Sequence, residues 1–258
     1  MYSFETLDVQ VSDHIATVYL NNPPVNAVNT KMLNELALAM DQFSEDEDVR
    51  VVVLTGKGKV FCAGADLKGR EEIARSAGGL PQHSRRTREA FHAIRECSKP
   101  VIAAINGAAL GAGLAIVASC DILIAGESAK LGLPEIDVGL LGGVRHAQRL
   151  FSHSRLRRMM VTGMRVEGQE LYRLGVVEAC LPDAELLPAA LKIAREVASK
   201  SPLSVRLSIQ TANAIEDMSL RDGYRYEQDM TAAIAKTDDA REARTAFLEK
   251  RPPVFTGR

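Results

Sequence analysis

The chain has 258 residues, of which 46% are hydrophobic and 25% charged, and its formal net charge is -1. This is the composition of a globular protein with enough apolar material for a large core, and the charge balance argues against a nucleic-acid-binding protein. The four cysteines form no CxxC pair and no zinc-ligand spacing, so we expect neither a disulfide framework nor a metal site.

The N-terminal stretch MYSFETLDVQVSDHIATVYL lacks the basic segment, apolar segment and cleavage site of a secretory signal. No uninterrupted apolar run in the chain approaches the roughly 20 residues that a membrane span requires. We therefore expect a soluble, cytoplasmic protein with no membrane partner.

Apolar, β-branched runs recur along the first two thirds of the chain and predict strands. They cover residues 15–20, 49–56, 99–107, 121–126 and 175–181. A segment of helical period lies between the first two runs, at residues 29–46, and Asn29 or Thr30 is suited to cap it. Its predicted apolar face consists of Met32, Leu33, Leu36, Leu38 and Met40. Strands that alternate with helices predict buried, mostly parallel sheets joined by crossover connections.

The pattern changes near residue 184, where four amphipathic helical segments follow one another with short polar joints. We expect an α/β core over residues 1–183 and a helical C-terminal part over residues 184–258. No low-complexity linker separates the two parts, so the helices are expected to pack on the core or on another subunit.

Two similar turns follow predicted strands. KVFCAGADLKG (residues 59–69) and INGAALGAGLA (residues 105–115) each place small residues where a strand passes into a helix. Free N–H groups at a helix start bind negative charge or stabilise a developing oxyanion. Neither turn contains GxGxxG or a Walker lysine, so they do not support nucleotide binding of those kinds.

The chain resembles the crotonase superfamily, also called the enoyl-CoA hydratase/isomerase family. The resemblance rests on FCAGADLK, KPVIAAINGAALGAG, CDILIAGESAKLGLPEIDVGL and AFLEKRPPVFTGR, with NNPPVNAVN and GVVEACLP in the same order along the chain. It implies a crotonase-like spiral of ββα repeats, and a helical C-terminal part that assembles homotrimers, often paired into homohexamers. It also implies an acyl-CoA substrate and no separate cofactor, since coenzyme A is part of the substrate.

The shared chemistry of this family is stabilisation of a thioester enolate. The resemblance places the two oxyanion donors at the backbone N–H groups of Ala65 and Ala112, although relatives commonly carry glycine at the second position. Ala112 therefore needs an ordinary helix-start conformation. The family positions that contact CoA correspond to Pro24, Val25, Ala27, Ala63, Asp66, Leu67, Lys68, Phe247 and Lys250. Lys57, Lys59 and Arg70 are further candidates for phosphate contacts or are simply solvated.

The hydratases of this family use two glutamates, and this sequence keeps one of them. The resemblance places Glu135 at the later position, and Ala115 falls on the earlier one. A carboxylate in an apolar pocket has its pKa raised from about 4.3 toward about 6–7, which suits proton shuttling. One glutamate resembles the enoyl-CoA isomerases more than the two-glutamate hydratases, and it is also similar to single-glutamate hydratase-lyases acting on aryl-propenoyl thioesters.

Several alternatives stay open at the level of sequence. Enoyl-CoA hydration is the main alternative to isomerisation, with Asp137 as a possible substitute acid, and a catalytically weak acyl-CoA-binding member is another. Arg145 and His146 either bind a polar or carboxylated acyl group or face solvent or a subunit contact. His14, His83, His92 and His153 show no partner pattern that supports a catalytic role. In this family, residues 69–90 shape the acyl pocket.

Overall fold

The computed structural model describes residues 2–258, which form one large sheet, one small sheet and a series of helices. The strands are β1 Leu7–Ser12, β2 Ile15–Leu20, β3 Val51–Gly56, β4 Val101–Ile105, β5 Ala108–Leu110, β6 Ile122–Gly126, β7 Lys130–Gly132, β8 Arg165–Glu167 and β9 Cys180–Leu181. The first helices are α1 Thr30–Glu45, α2 Leu67–Arg75, α3 Gly79–Glu96, α4 Ala112–Ser119, α5 Val144–Ala147, α6 His153–Thr162 and α7 Gly168–Arg173. The remaining helices are α8 Asp183–Ala198, α9 Pro202–Ile215, α10 Leu220–Ile234 and α11 Asp238–Glu249, and a 3-10 turn spans Pro134–Val138.

The large sheet has the strand order β1-β2-β3-β4-β6-β9. Only β1 and β2 pair antiparallel, and every later neighbour pairs parallel. The small sheet has the order β5-β7-β8. The prediction of mostly parallel, buried strands is confirmed.

Strand β3 shows how the large sheet separates two apolar layers. All six of its residues are buried. Val52 and Leu54 pack into the main core with α1, whereas Val51 and Val53 face the other side with α8. Side chains alternate across a strand, so a continuous apolar run covers both faces of a sheet that is covered on both sides.

Helix α1 forms as predicted, because the Asn29 side chain accepts a hydrogen bond from the backbone N–H of Met32 at 2.9 Å. The buried face of α1 contains Met32, Leu33, Leu36, Ala39, Met40 and Phe43. Leu38 is 50% exposed, so its assignment to this face was wrong. It lies about 100° around the helix from its neighbours in sequence, and a period of 3.6 residues brings Ala39 and Phe43 onto the core side instead.

The predicted strand at residues 175–181 is mostly wrong, because only β9, with two residues, pairs with β6. The backbone N–H of Val176 donates to the Leu171 carbonyl, and that of Gly175, with φ 70°, donates to the Tyr172 carbonyl. These bonds end helix α7 as a Schellman motif. The N–H groups of Gly175 and Val176 are therefore not available for hydrogen bonds to a neighbouring strand.

The four helical segments of the C-terminal part are confirmed as α8 to α11. The first of them, α8, packs on β3, β4 and β6 and so covers the second face of the large sheet. Among residues 2–258, no helix is both long and apolar enough to cross a bilayer.

Candidate active site

Backbone hydrogen bonds join the two small-residue turns directly. The N–H of Cys62 donates to the Ala108 carbonyl at 3.0 Å, and the N–H of Leu110 donates to the Cys62 carbonyl at 2.9 Å. A β-carbon on Gly113 would lie 2.4 Å from the Cys62 carbonyl oxygen, so only glycine allows this close approach. The turns are therefore held in a fixed relative position by main-chain atoms.

The N–H groups of Ala65 in the first turn and of Ala112 in the second have no acceptor among residues 2–258. Ala112 is the first residue of α4, and the N–H at this position of a helix has no intrahelical partner. Gly111 has a positive φ of 52°, whereas the φ of Ala112 is not positive. Ala112 thus has the ordinary helix-start conformation that its predicted role requires.

Glu135 lies in the 3-10 turn Pro134–Val138, and its carboxylate reaches back over the second turn. A β-carbon on Gly111 would be 2.2 Å from Glu135 Oε1, so the carboxylate occupies the space that any other residue at 111 would fill. Glu135 Oε2 is buried and has no hydrogen-bond partner in the described chain. Burial raises the pKa of Glu135 above its usual value, and only a hydrogen bond from the residue's own backbone N–H acts in the opposite direction.

A cavity of about 520 Å³ brings these groups together. Its walls come from the two turns, helix α2, the middle of α3, the 3-10 turn and the loop before α5. The predicted site residues among its lining are Ala63, Ala65, Leu67, Ala112 and Glu135. The predicted oxyanion donors and the predicted acid/base therefore share one cavity.

The loop NNPPVNAVN packs against the first turn through the main chain. The N–H of Ala63 donates to the Val25 carbonyl at 3.0 Å, and the N–H of Asp66 donates to the Val28 carbonyl at 2.9 Å. The Asp66 carboxylate caps α2 by accepting from the N–H of Lys68 at 3.1 Å. This carboxylate has a structural partner, so its place beside CoA stays a prediction.

The other predicted CoA contacts lie outside the cavity. Pro24, Val25 and Lys68 are exposed near its first turn, and Ala27 is half-buried beside them. Phe247 in α11 is 83% exposed, and the exposed Lys250 ends that helix with φ 54°. The structure does not bring these last two residues to the cavity of their own chain.

The other residues considered for the acyl site lie in different environments. Ala115 is fully buried in α4 and carries no proton-transferring group. Asp137 lines the cavity, but its carboxylate is 3.9 Å from the guanidinium of Arg165. Arg145 is exposed and 3.4 Å from Asp217, as expected for a solvent-facing residue. His146 instead lines the cavity, with its ring packed edge-on against Phe91 at a centroid distance of 5.2 Å.

The sequence named Arg70 only as a candidate for a phosphate contact or as a solvated residue, and it supported no catalytic role for His83. Arg70 in α2 and His83 in α3 both line the cavity, and His83 Nδ1 is buried without a hydrogen-bond partner in the described chain. The polar stretch at 69–90 gave the region but not the residues, because the face that α3 turns to the site depends on its packing against α1, α2 and α4.

A second concavity of about 540 Å³ is lined by Asp121, Arg149 and Glu216 among others. None of the predicted catalytic residues lies there. Arg149 contacts the Ala118 carbonyl and Glu216, so this region ties α4 to the helical C-terminal part. The predicted catalytic residues all lie in the cavity at Glu135 instead.

The parallel sheet, the helical C-terminal part and the two hydrogen-bonded turns define an α/β protein of the crotonase fold. The sequence profile of the Enoyl-CoA hydratase/isomerase family matches residues 10–258, and the chain belongs to this family.

Individual relatives are similar over nearly the whole chain. A protein of Dictyostelium discoideum described as "Probable enoyl-CoA hydratase, mitochondrial" is 35% identical over 98% of this chain and 91% of its own length. A hexahydro-1H-indene-carboxyl-CoA hydrolase of Mycobacterium tuberculosis is also 35% identical, over 92% of this chain and 95% of its own. The crystal structure of an enoyl-CoA hydratase from Bacillus anthracis superimposes with a TM-score of 0.93 at 33% identity, covering 98% of this chain and 100% of that one. Equal identity to a hydratase and a hydrolase leaves the reaction to be argued from the site.

Proposed function

We propose that this enzyme shifts the double bond of an enoyl-CoA thioester through an enolate, with Glu135 as its single acid/base. The observation that carries this proposal is the buried, unpartnered Oε2 of Glu135 in the cavity that also contains the unpartnered N–H groups of Ala65 and Ala112. An unsatisfied buried oxygen is costly in the free protein. It is suited to accept a proton from a bound substrate.

In the proposed reaction, the thioester oxygen of a 3-enoyl-CoA accepts hydrogen bonds from the N–H groups of Ala65 and Ala112. Glu135 takes a proton from C2, and the electron pair of that C–H bond delocalises into a dienolate. The same carboxyl group returns the proton to C4, so the double bond moves from C3–C4 to C2–C3 and no atom is gained or lost. Each preorganised donor contributes about 2.7–4 kcal/mol of transition-state stabilisation.

The raised pKa of Glu135 fits this shuttle, because an acid/base works best when its pKa lies near the operating pH. Hydration by the two-acid route needs a second carboxylate to position water. Ala115 lacks one, and Asp137 already faces Arg165. These two observations support isomerisation over hydration.

Hydration of a 2-enoyl-CoA is the second candidate, and the names of the relatives favour it. In that reaction, water adds its oxygen to C3 and a proton reaches C2 through the same enolate. Glu135 would then be the only carboxylate available to both steps unless another cavity residue holds the water.

Coenzyme A is proposed to lie over the first turn, against Ala63, Leu67 and their neighbours in the chain. The proposed assembly is a homotrimer or a homohexamer. The 83% exposure of Phe247 on α11 and the 92% exposure of Leu220 on α10 support an interface there. Phe247 and Lys250, remote from the cavity of their own chain, are then free to contact CoA bound by a neighbouring subunit.

A side-by-side assay tests the reaction. Purified wild type, Glu135→Gln and Ala115→Glu are each incubated with a 3-enoyl-CoA and with crotonyl-CoA. Isomerisation by the wild type that is lost in Glu135→Gln, with hydration only in Ala115→Glu, is the expected result. Efficient hydration by the wild type refutes the one-acid isomerase and establishes the second candidate. Acyl-CoA binding without turnover, unchanged by Glu135→Gln, identifies a binding protein instead.

A further inference from the structure

Polar side chains that the proposed proton transfer does not use also line the cavity. Only two buried side-chain polar atoms of residues 2–258 lack a hydrogen-bond partner, Glu135 Oε2 and His83 Nδ1, and both belong to residues that line this cavity. Leaving a buried polar atom unsatisfied costs roughly 1–3 kcal/mol. Glu135 Oε2 has a role in proton transfer, whereas His83 Nδ1 has none.

Arg70 is the cation that accompanies His83. It is half-buried and lines the cavity. Burial of the imidazole lowers the pKa of His83, and the charges of Arg70 and Arg86 lower it further. His83 is therefore neutral near pH 7, with one ring nitrogen free to donate a hydrogen bond. Arg70 and His83 together present donors and one positive charge to the cavity.

The other arginines of the lining already have acidic neighbours. Arg165 faces Asp137 at 3.9 Å, and the exposed Arg88 is 3.8 Å from Glu89. The Arg70 guanidinium has no acidic side chain within ion-pairing distance in the described part of the chain. A half-buried cation without a counter-charge is stabilised when a ligand supplies one.

Arg70 and Glu135 belong to different walls of the cavity. Arg70 lies in α2, whereas Glu135 lies in the 3-10 turn Pro134–Val138. No ion pair joins the two side chains in the described part of the chain. The charge of Arg70 is therefore available to a part of the ligand other than the carbon atoms beside the thioester.

On these grounds we propose that Arg70 and His83 form a subsite for an anionic group, and that the preferred substrates are enoyl-CoA thioesters whose acyl chain carries a carboxylate. This inference rests on the proposed function for its acyl-CoA ligand and adds the class of acyl group. The carboxylate accepts hydrogen bonds from the Arg70 guanidinium and from the Nδ1–H of His83. An alkyl chain of equal length leaves both donors unpaired.

The phosphates of CoA are the other source of negative charge in such a ligand, and the test separates the two. Isothermal titration measures Kd for saturated CoA thioesters that do not turn over. The probes are the monothioesters of butanedioic, hexanedioic and octanedioic acids, the straight-chain acyl-CoA of each same length, and free CoA. The proteins are the wild type, Arg70→Met, His83→Leu and Arg85→Met. Arg85 is an exposed arginine of α3 outside the cavity, so Arg85→Met controls for the loss of one positive charge.

The expected result is that, for at least one chain length, the wild type binds the carboxylated thioester about tenfold or more tightly than its alkyl counterpart. Arg70→Met and His83→Leu reduce this ratio toward one, and Arg85→Met leaves it unchanged. Equal affinity of the wild type for both members of every pair overturns the proposal. So does an equal loss by Arg70→Met for carboxylated thioesters, alkyl thioesters and free CoA, which assigns Arg70 to the CoA phosphates.

The titration is independent of catalysis, so it also distinguishes the two proposals from each other. Glu135→Gln is expected to keep the preference for the carboxylated thioester while it loses turnover. A preference that vanished in Glu135→Gln would assign recognition to Glu135 and overturn the role of Arg70. An enzyme that prefers the carboxylated ligands but moves no double bond refutes the isomerase and leaves the subsite standing.

Discussion

The Gly111→Ala substitution is expected to impair catalysis by displacing the carboxylate of Glu135, although Glu135 itself is unchanged. The new β-carbon would lie 2.2 Å from Glu135 Oε1, whereas ordinary van der Waals contact begins at 3.4 Å, so the carboxylate must move by about 1.2 Å, the difference between those distances. A misplacement of about 1 Å at a reacting group costs on the order of 10²-fold in rate. We therefore expect kcat for 3-enoyl-CoA isomerisation to fall about 100-fold.

The backbone of Gly111, with φ 52° and ψ −110°, adds a second cost. A non-glycine residue in such a conformation loses about 1–3 kcal/mol of stability, measured as the free energy of unfolding in denaturant. Gly175→Ala is the matched control, since Gly175 also has a positive φ of 70° but its β-carbon would meet no atom within 4 Å. It is expected to lose stability and to keep kcat.

The double variant Gly111→Ala/Glu135→Gln decides whether the effect on kcat passes through the carboxylate. If it does, adding Gly111→Ala to Glu135→Gln produces no further loss of kcat. A single Gly111→Ala variant with kcat within about threefold of wild type refutes the reasoning. A full additional loss in the double variant refutes it as well and places the damage at the N–H of Ala112.

Three further predictions concern the same fold. Because burial raises the pKa of Glu135 and the base must be ionised, kcat/KM should decline as the pH falls, with its midpoint above the ordinary glutamate value of 4.5; a midpoint at or below 4.5 contradicts this. Ala112→Pro removes the unpartnered N–H at the first position of α4, where helices accept proline. The protein should therefore stay folded while kcat falls about 10²–10³-fold. Ala112→Gly keeps the N–H and should stay active. Burial raises the pKa of Asp121 from 3.8 to about 6, so this group stabilises the protein below pH 3.8 and that stabilisation is lost as the pH rises through 6. Asp121→Asn should shrink the difference in unfolding free energy between pH 4 and pH 7 by up to about 3 kcal/mol, and an unchanged difference contradicts the assignment.

The sequence predicted the elements whose pattern is local. Strand β3 formed as expected, because its continuous apolar run is buried on both faces of the sheet. Helix α1 also formed as expected, because its capped, periodic segment buries a single apolar face. Strand β1 was not predicted, since as an edge strand it exposes half of its residues and lacks a strong apolar pattern. The run at 175–181 misled for the opposite reason: it is apolar, but the end of α7 already uses its first N–H groups.

The site divides in the same way. Glu135 and the two turns were identified through the family resemblance, which rests on short local motifs, and they share one cavity. Arg70 and His83 were not assigned to it, because their approach depends on how α2 and α3 pack against each other and against the core. For His146 the sequence left both a cavity position and a solvent-facing position open. Its position in the cavity depends on the contact with Phe91 of α3, which is distant in sequence.

The hydrogen bonds between Cys62, Ala108 and Leu110 make the geometry of the two N–H donors a property of the main chain alone. Side chains of α2 and α3, in contrast, line another part of the same cavity. Exchanging those side chains leaves the ladder between the turns intact. The molecule is therefore modular for engineering and for evolution: the backbone fixes the proposed oxyanion donors, and the cavity-lining side chains of two helices can be exchanged residue by residue.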